Sequence, residues 1–362
     1  MTDAEAAKPE VTEPYTTRLR EIESRLFFIV GAERSGTTLL QSILVSAPGM
    51  HIPPETKFYG IYKTQKWLWG NLKKDRNIRR VIRKACQHQR HWGVIFDEEI
   101  FGRYVMAAPR TADGLFLSIL AASDANEPQP ARFIGEKTPL HIRYVGRLRE
   151  AFPQARFVHI IRDPRAVVAS NLKRLPVAVG SEKVYTTREI GAHVDMWRQA
   201  VKIHHRYADR LGPQRYLLVR YENLVTDPRA AILPVCRFLD VEFTEAMLKP
   251  HNRRKRLQRD DNLSLFCNTQ KPIFTDSIQK WRTELSQDQI SLVEHGLRKE
   301  MKLMGYEPTG ARTWLPGPRL MASSARAWTT AKSTFVLRQM RKTWRRITSP
   351  PGSARQDASG GV

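Results

Sequence analysis

The sequence predicts an α/β fold, a three-layer domain whose parallel sheet is flanked by helices. Two observations carry that prediction. Between residues 25 and 309, short apolar β-prone runs alternate with longer amphipathic stretches, the pattern of strands joined by crossover helices. At residues 26–44 an apolar run, a glycine-bearing turn and a helical pattern follow one another directly. That strand–loop–helix unit turns free backbone N–H groups toward an anion.

The elements follow in chain order. Residues 1–24 are polar and mixed in charge, and read as a tail leading into the first strand, Leu26–Val30. Gly31-Ala32-Glu33-Arg34-Ser35-Gly36-Thr37-Thr38 comes next. It fits the phosphate-binding pattern GxxxxGK[ST] at both glycines and at Thr38 but places Thr37 where the lysine would stand. The sheet is therefore expected to be P-loop NTPase-like, with a loop that holds a phosphate-like group without being built for ATP hydrolysis. Apolar spacing then predicts a helix over 38–46 and another over 97–122, within a helical insertion spanning 60–130. Strands follow at Arg132–Gly135, Arg156–Ile161 and Tyr216–Val219, with helices at 164–174 and 188–211. Asp227-Pro228 opens a helix over 229–239, and Ser286-Gln287-Asp288-Gln289 is a capping box for one that Gly305 ends. Residues 310–362 form a basic tail in which Val336, Met340, Trp344 and Ile347 fall at helical spacing among arginines and lysines. The tail is open to two readings, a solvated segment or a basic helix lying on an anionic membrane.

With 60 Lys+Arg against 36 Asp+Glu the chain carries a net charge of +24, which attracts nucleotides, nucleic acid or anionic lipid without choosing among them. There is no apolar run of membrane-spanning length and no signal-peptide core near the N-terminus, so the expectation is a cytoplasmic protein, at most peripheral to a membrane. Cys86, Cys236 and Cys267 are too few and too scattered for a disulfide framework or a zinc site. His88 and His91 near Cys86 lack further ligands at metal-binding spacing, so no metal is expected. Trp67, Trp69 and Trp92 read as core or as the wall of an acceptor pocket.

A second segment points to a second anion site. The strand Arg156–Ile161 ends in Arg162, and Pro164 opens the helix that follows. Arg162 thus stands at the carboxyl end of a parallel strand, where such sheets bind ligands. Ser170 and Arg174 share one face of that helix, so the three residues can enclose a phosphate, while Arg162–Asp163 can also be read as a structural ion pair.

Together these segments resemble the 5′-phosphosulfate loop and the 3′-phosphate motif of sulfotransferases that use 3′-phosphoadenosine 5′-phosphosulfate (PAPS). The chain is most similar to the protein-tyrosine sulfotransferases and related bacterial enzymes, whose loop carries Arg-Ser-Gly-Thr-Thr as Arg34–Thr38 does here. The resemblance implies donor contacts from Arg34, Ser35, Gly36, Thr37, Thr38, Arg162, Ser170 and Arg174. It maps the family's catalytic base onto Glu55 in His51-Ile52-Pro53-Pro54-Glu55-Thr56-Lys57, although Pro54 and Lys57 replace the family's neighbours. Lys137 in Gly135-Glu136-Lys137-Thr138-Pro139 matches the lysine that meets charge on the leaving phosphate, with Arg34 beside the same chemistry. Tyr221, in Arg220-Tyr221-Glu222-Asn223-Leu224, matches a cofactor-contacting tyrosine. Lys271-Pro272 and Lys280-Trp281 keep the spacing of a flap whose second lysine, Lys280, reaches a phosphate. Leu265 stands where the family has a leaving-group serine, leaving Ser264 as its substitute. Residues 60–130 and those after 309 lie outside the resemblance. The implied reaction is sulfuryl transfer from PAPS to a hydroxyl acceptor, whether phenolic, carbohydrate or lipid. A P-loop kinase or NTPase using Asp163 as its acid, and a basic nucleic-acid-binding protein, remain alternatives. No nucleic-acid-binding motif supports the latter.

Overall fold

Phe27–Gly31 forms β1, and all five of its residues are buried, as expected of a strand covered on both faces. The computed structural model describes residues 9–87, 94, 96–125, 127, 129–173, 187–251 and 272–311. Four more strands join β1: β2 (Met50–His51), β3 (Phe133–Lys137), β4 (Arg156–Ile161) and β5 (Tyr216–Arg220). They lie in the order β2-β3-β1-β4-β5, and every pairing is parallel. The register sets Phe27 beside both Gly135 and Arg156. β1 is therefore central, and the loop leaving it lies between the ends of β3 and β4.

Strand alternation sends successive side chains to opposite layers. Phe28 and Val30 of β1, with Phe157 and Ile161 of β4, face one core. Phe27, Ile29, Val158 and Ile160 face the other. The second core is closed by α2 (Thr37–Leu44) through Leu40 and Ile43, and by the helix Pro228–Leu239 through Ile232 and Val235. The first is larger, and Phe28 sits in it 5.4 Å from the Phe157 ring and 6.0 Å from Phe116. The result is the three-layer architecture expected.

Two expectations need correction, and one strand escaped the sequence reading. Residues 9–25 are no tail: Pro9–Arg25 forms α1, with Leu19 and Ile22 buried in the first core. Arg18 anchors it, donating to Asp124 Oδ2 and to the Ala131 carbonyl at 2.6 Å each. The helix over 97–122 is two helices, because Pro109 removes an N–H donor and Ala108 turns extended. Thr111 then caps the second by accepting from the Gly114 N–H. The edge strand β2 is only two residues long, too short for any periodicity to reveal.

The insertion between β2 and β3 is helical. It comprises α3 (Phe58–Trp69), α4 (Asp75–Gln87), α5 (Glu98–Ala107) and α6 (Ala112–Asp124). After β3 come α7 (Val145–Ala151), then β4, α8 (Pro164–Leu172) and α9 (Thr187–Leu211). The helix Gln287–Leu303 carries the capping box read from the sequence, with Ser286 accepting from the Gln289 N–H and the Gln289 side chain accepting from the Ser286 N–H. Among the described residues no helix is long and apolar enough to cross a membrane. The tail after 311 lies outside the described residues.

Candidate functional site

The loop after β1 is shaped by two residues in left-handed backbone conformations, Arg34 at φ 70° and Gly36 at φ 99°. Gly36 also has no room for a side chain: a Cβ there would lie 2.3 Å from Cδ2 of Tyr221. It precedes α2, which starts at Thr37 with neither a side-chain cap nor an acidic residue in its first turn. The N–H groups of that turn and the positive end of the helix dipole thus face the loop without a side-chain cap. Ser35 is fully buried, and its hydroxyl finds no hydrogen-bond partner. Such a buried unpaired group costs stability unless something binds it.

Arg34 and Ser170 meet, with Nε donating to Oγ at 2.9 Å. Arg162 reaches the same loop from the end of β4, its Nη1 donating to the Arg34 carbonyl at 3.2 Å. Its guanidinium lies 4.2 Å from the centroid of the Tyr221 ring, a cation–π stack at the end of β5. The Arg162 backbone is held from below by the Trp197 indole N–H at 2.9 Å. Its Nε is buried and unpaired, like the Ser35 hydroxyl. The sequence did not mark Ser277, yet its hydroxyl shares a 2.6 Å hydrogen bond with Tyr221 Oη and its carbonyl accepts from Arg162 Nη2 at 2.5 Å. Nothing in the spacing around Ser277 signals this, because both partners are distant in sequence.

Lys280, three residues further on, is exposed, with Nζ 5.5 Å from the centre of the Phe274 ring. Its segment is placed beside the site, but its ammonium contacts none of the loop residues. Arg174, Ser264, Leu265 and Lys271 lie outside the described residues. Asp163 does not pair with Arg162. It caps α8 and binds Arg165, accepting from the Arg165 N–H at 2.8 Å and from Nη2 at 2.7 Å. That commitment removes it as the acid of an NTPase.

On the β3 side, Lys137 Nζ donates to Glu55 Oε1 at 2.8 Å and to Thr38 Oγ1 at 3.4 Å. Lys137 is almost wholly buried, whereas the Glu55 side chain keeps 32% of its surface exposed. The carboxylate therefore opens toward solvent while the ammonium points at the loop. Lys57 adds a second cation 3.9 Å from Glu55 Oε2. Burial works against the Glu55 charge, but Lys137 outweighs it and holds the carboxyl below its ordinary range. Gln41 on α2 fixes the segment before Glu55, donating to the carbonyls of Ile52 and Pro53 at 3.0 Å each.

The loop, with its uncapped helix start, unpaired Ser35 hydroxyl and unpaired Arg162 Nε, has the donors that a phosphate-bearing ligand requires. One end of that loop meets the Lys137–Glu55 pair and the other meets Arg162, which stacks on Tyr221.

The model of the family described as "Sulfotransferase family" matches residues 27–245. The match runs through residues 60–130, which the motif resemblance left out, and stops before Lys280. The protein-tyrosine sulfotransferase of Drosophila melanogaster is 24% identical over 294 residues, covering 79% of this chain and 52% of its own. Protein-tyrosine sulfotransferase 2 of Gallus gallus is 22% identical over 294 residues, covering 79% and 70%. The chain thus spans about half the length of the fly relative. Among solved structures, the sulfotransferase domain of the Synechococcus PCC 7002 olefin synthase superposes with a TM-score of 0.53 at 22% identity. That alignment covers 78% of this chain and 94% of that domain.

Proposed function

The chain belongs to the sulfotransferase family, and we propose that it moves a sulfuryl group from PAPS to a hydroxyl acceptor through the Glu55–Lys137–Thr38 array. PAPS supplies the activated sulfuryl group, leaving as adenosine 3′,5′-bisphosphate. The loop amides, Arg34, Ser35, Thr37 and Thr38 hold its 5′ end, and Arg162 and Ser170 its 3′-phosphate, with Tyr221 beside them. Arg174 and Lys280 complete that set in this reading.

Glu55 takes the proton of the acceptor hydroxyl as its oxygen bonds to sulfur. Lys137 meets the negative charge that develops on the departing 5′-phosphate oxygen as the bond from that oxygen to sulfur breaks. The observation carrying this assignment is that one buried ammonium touches both the partly exposed carboxylate and a loop hydroxyl. A base and an electrophilic cation are thereby held at the mouth of the anion site before any acceptor arrives. The protein-tyrosine sulfotransferases among the relatives favour a tyrosyl phenol as acceptor.

Glu55→Gln is expected to lower kcat by about a hundredfold or more, while the affinity for adenosine 3′,5′-bisphosphate stays within about threefold. Turnover retained in full would remove Glu55 as the base. Thermal stabilisation by adenosine 3′,5′-bisphosphate and not by ATP or short DNA is the accompanying result. Stabilisation by ATP with magnesium would instead favour an NTPase.

A further inference from the structure

Helix α4 divides sharply between its two faces. Asn77, Ile78, Val81 and Ala85 are buried. Arg76, Arg79, Arg80, Arg83 and Lys84 are exposed on the other side, and Lys73 and Lys74 extend the exposed series into the preceding turn. None of these cations has an acidic partner among the described residues. The helix's single acid, Asp75, is taken by Arg110 at 3.1 Å. Like charges three and four residues apart destabilise a helix by a few tenths of a kcal/mol per pair, so this face carries a repulsion that its own fold does not relieve.

The neighbouring helix adds an apolar feature. Met106 on α5 is 43% exposed, one of two large apolar side chains so exposed among the described residues. Its sulfur accepts from Arg110 Nη2 at 3.7 Å, so it stands close to the start of the basic face.

We propose that α4 docks the protein on an anionic membrane surface, with the arginines and lysines at the headgroups and Met106 entering the boundary with the acyl chains. The exposed cations follow one side of a single helix, an arrangement that suits a flat sheet of charge. It exposes no aromatic ring, so it offers no stacking platform for single-stranded nucleic acid. An apolar side chain beside the cations fits lipid better than the phosphates of a duplex or the carboxylates of an acidic polypeptide. Attraction of this kind weakens with salt and gains about fivefold in partitioning for each basic residue near the surface.

The test is co-sedimentation of the full chain with phosphatidylcholine vesicles, with and without phosphatidylserine. The wild type is expected to bind only vesicles containing the anionic lipid, less as salt rises. The variant Arg76→Gln/Arg79→Gln/Arg80→Gln/Arg83→Gln should bind them at least about tenfold more weakly, with its thermal unfolding and its transfer to a soluble acceptor unchanged. The basic tail after residue 311 is untouched in that variant, so the loss reports α4 alone. Equal vesicle binding by variant and wild type overturns the proposal, as does wild-type binding indifferent to phosphatidylserine. Loss of binding to duplex DNA or polyglutamate with vesicle binding intact would transfer the face to that partner.

Discussion

Glu136, fully buried one residue before Lys137, sets the distance between the two halves of the proposed chemistry. Its Oε1 accepts from Thr56 Oγ1 at 2.8 Å and from Thr138 Oγ1 at 2.6 Å, and its Oε2 from His141 Nδ1 at 2.7 Å. Burial opposes its charge, yet His141 and the two hydroxyls hold its carboxyl below the ordinary range. Because Thr56 follows Glu55 and Glu136 precedes Lys137, this hub locks base and cation together. Glu136→Ala leaves three buried donors unpaired and should cost about 3 kcal/mol in urea unfolding, with Glu136→Gln costing less because it still accepts from the hydroxyls. At this scale the sequence was legible in placement: Arg34 lies in the loop after β1, Lys137 ends β3 and Arg162 directly follows β4, as the apolar runs implied. Ser277 and the Glu136 hub were not legible, because their meaning lies in partners that folding brings from elsewhere in the chain.

Among the elements, β4 and β5 are joined through an interior contact that makes their stability depend on pH. His159 is fully buried on β4 and shares a 2.7 Å hydrogen bond between Nδ1 and the Tyr216 hydroxyl on β5. Burial, reinforced by His204 nearby, lowers its pKa from 6.5 to about 3. The folded state thus keeps the ring neutral, while the unfolded chain takes up a proton below about 6.5. Stability should therefore fall as pH drops from about 6.5 toward 3, with a slope approaching 1.4 kcal/mol per pH unit from this group. Urea titrations across that window check it, and His159→Gln should lack that part of the slope. Strands β1 and β4 were readable because each is a largely apolar run buried on both faces. Helix α1 was not, since two prolines and scattered charge hide the two side chains, Leu19 and Ile22, that seat it. Its attachment depends on Arg18 finding Asp124 and Ala131 across the fold.

For the whole molecule, the sheet order places β1 between β3 and β4, so the loop after β1 has the Lys137 group on one flank and the Arg162 group on the other. The sequence marked those three strands but not their order, which depends on pairings distant along the chain. That order also has a kinetic consequence. Phe27 pairs with Gly135 and with Arg156, both far along the chain, and neither parallel neighbour can be reached by a tight turn. Local helices form in microseconds, whereas such distant pairings wait on the closure of large loops. On dilution from urea, the circular-dichroism signal of the helices should therefore return in an earlier phase than the ability to bind adenosine 3′,5′-bisphosphate, as stopped-flow measurements of both would resolve. A newly made chain would hold most of its secondary structure for a time before the loop after β1 has its flanking strands in place.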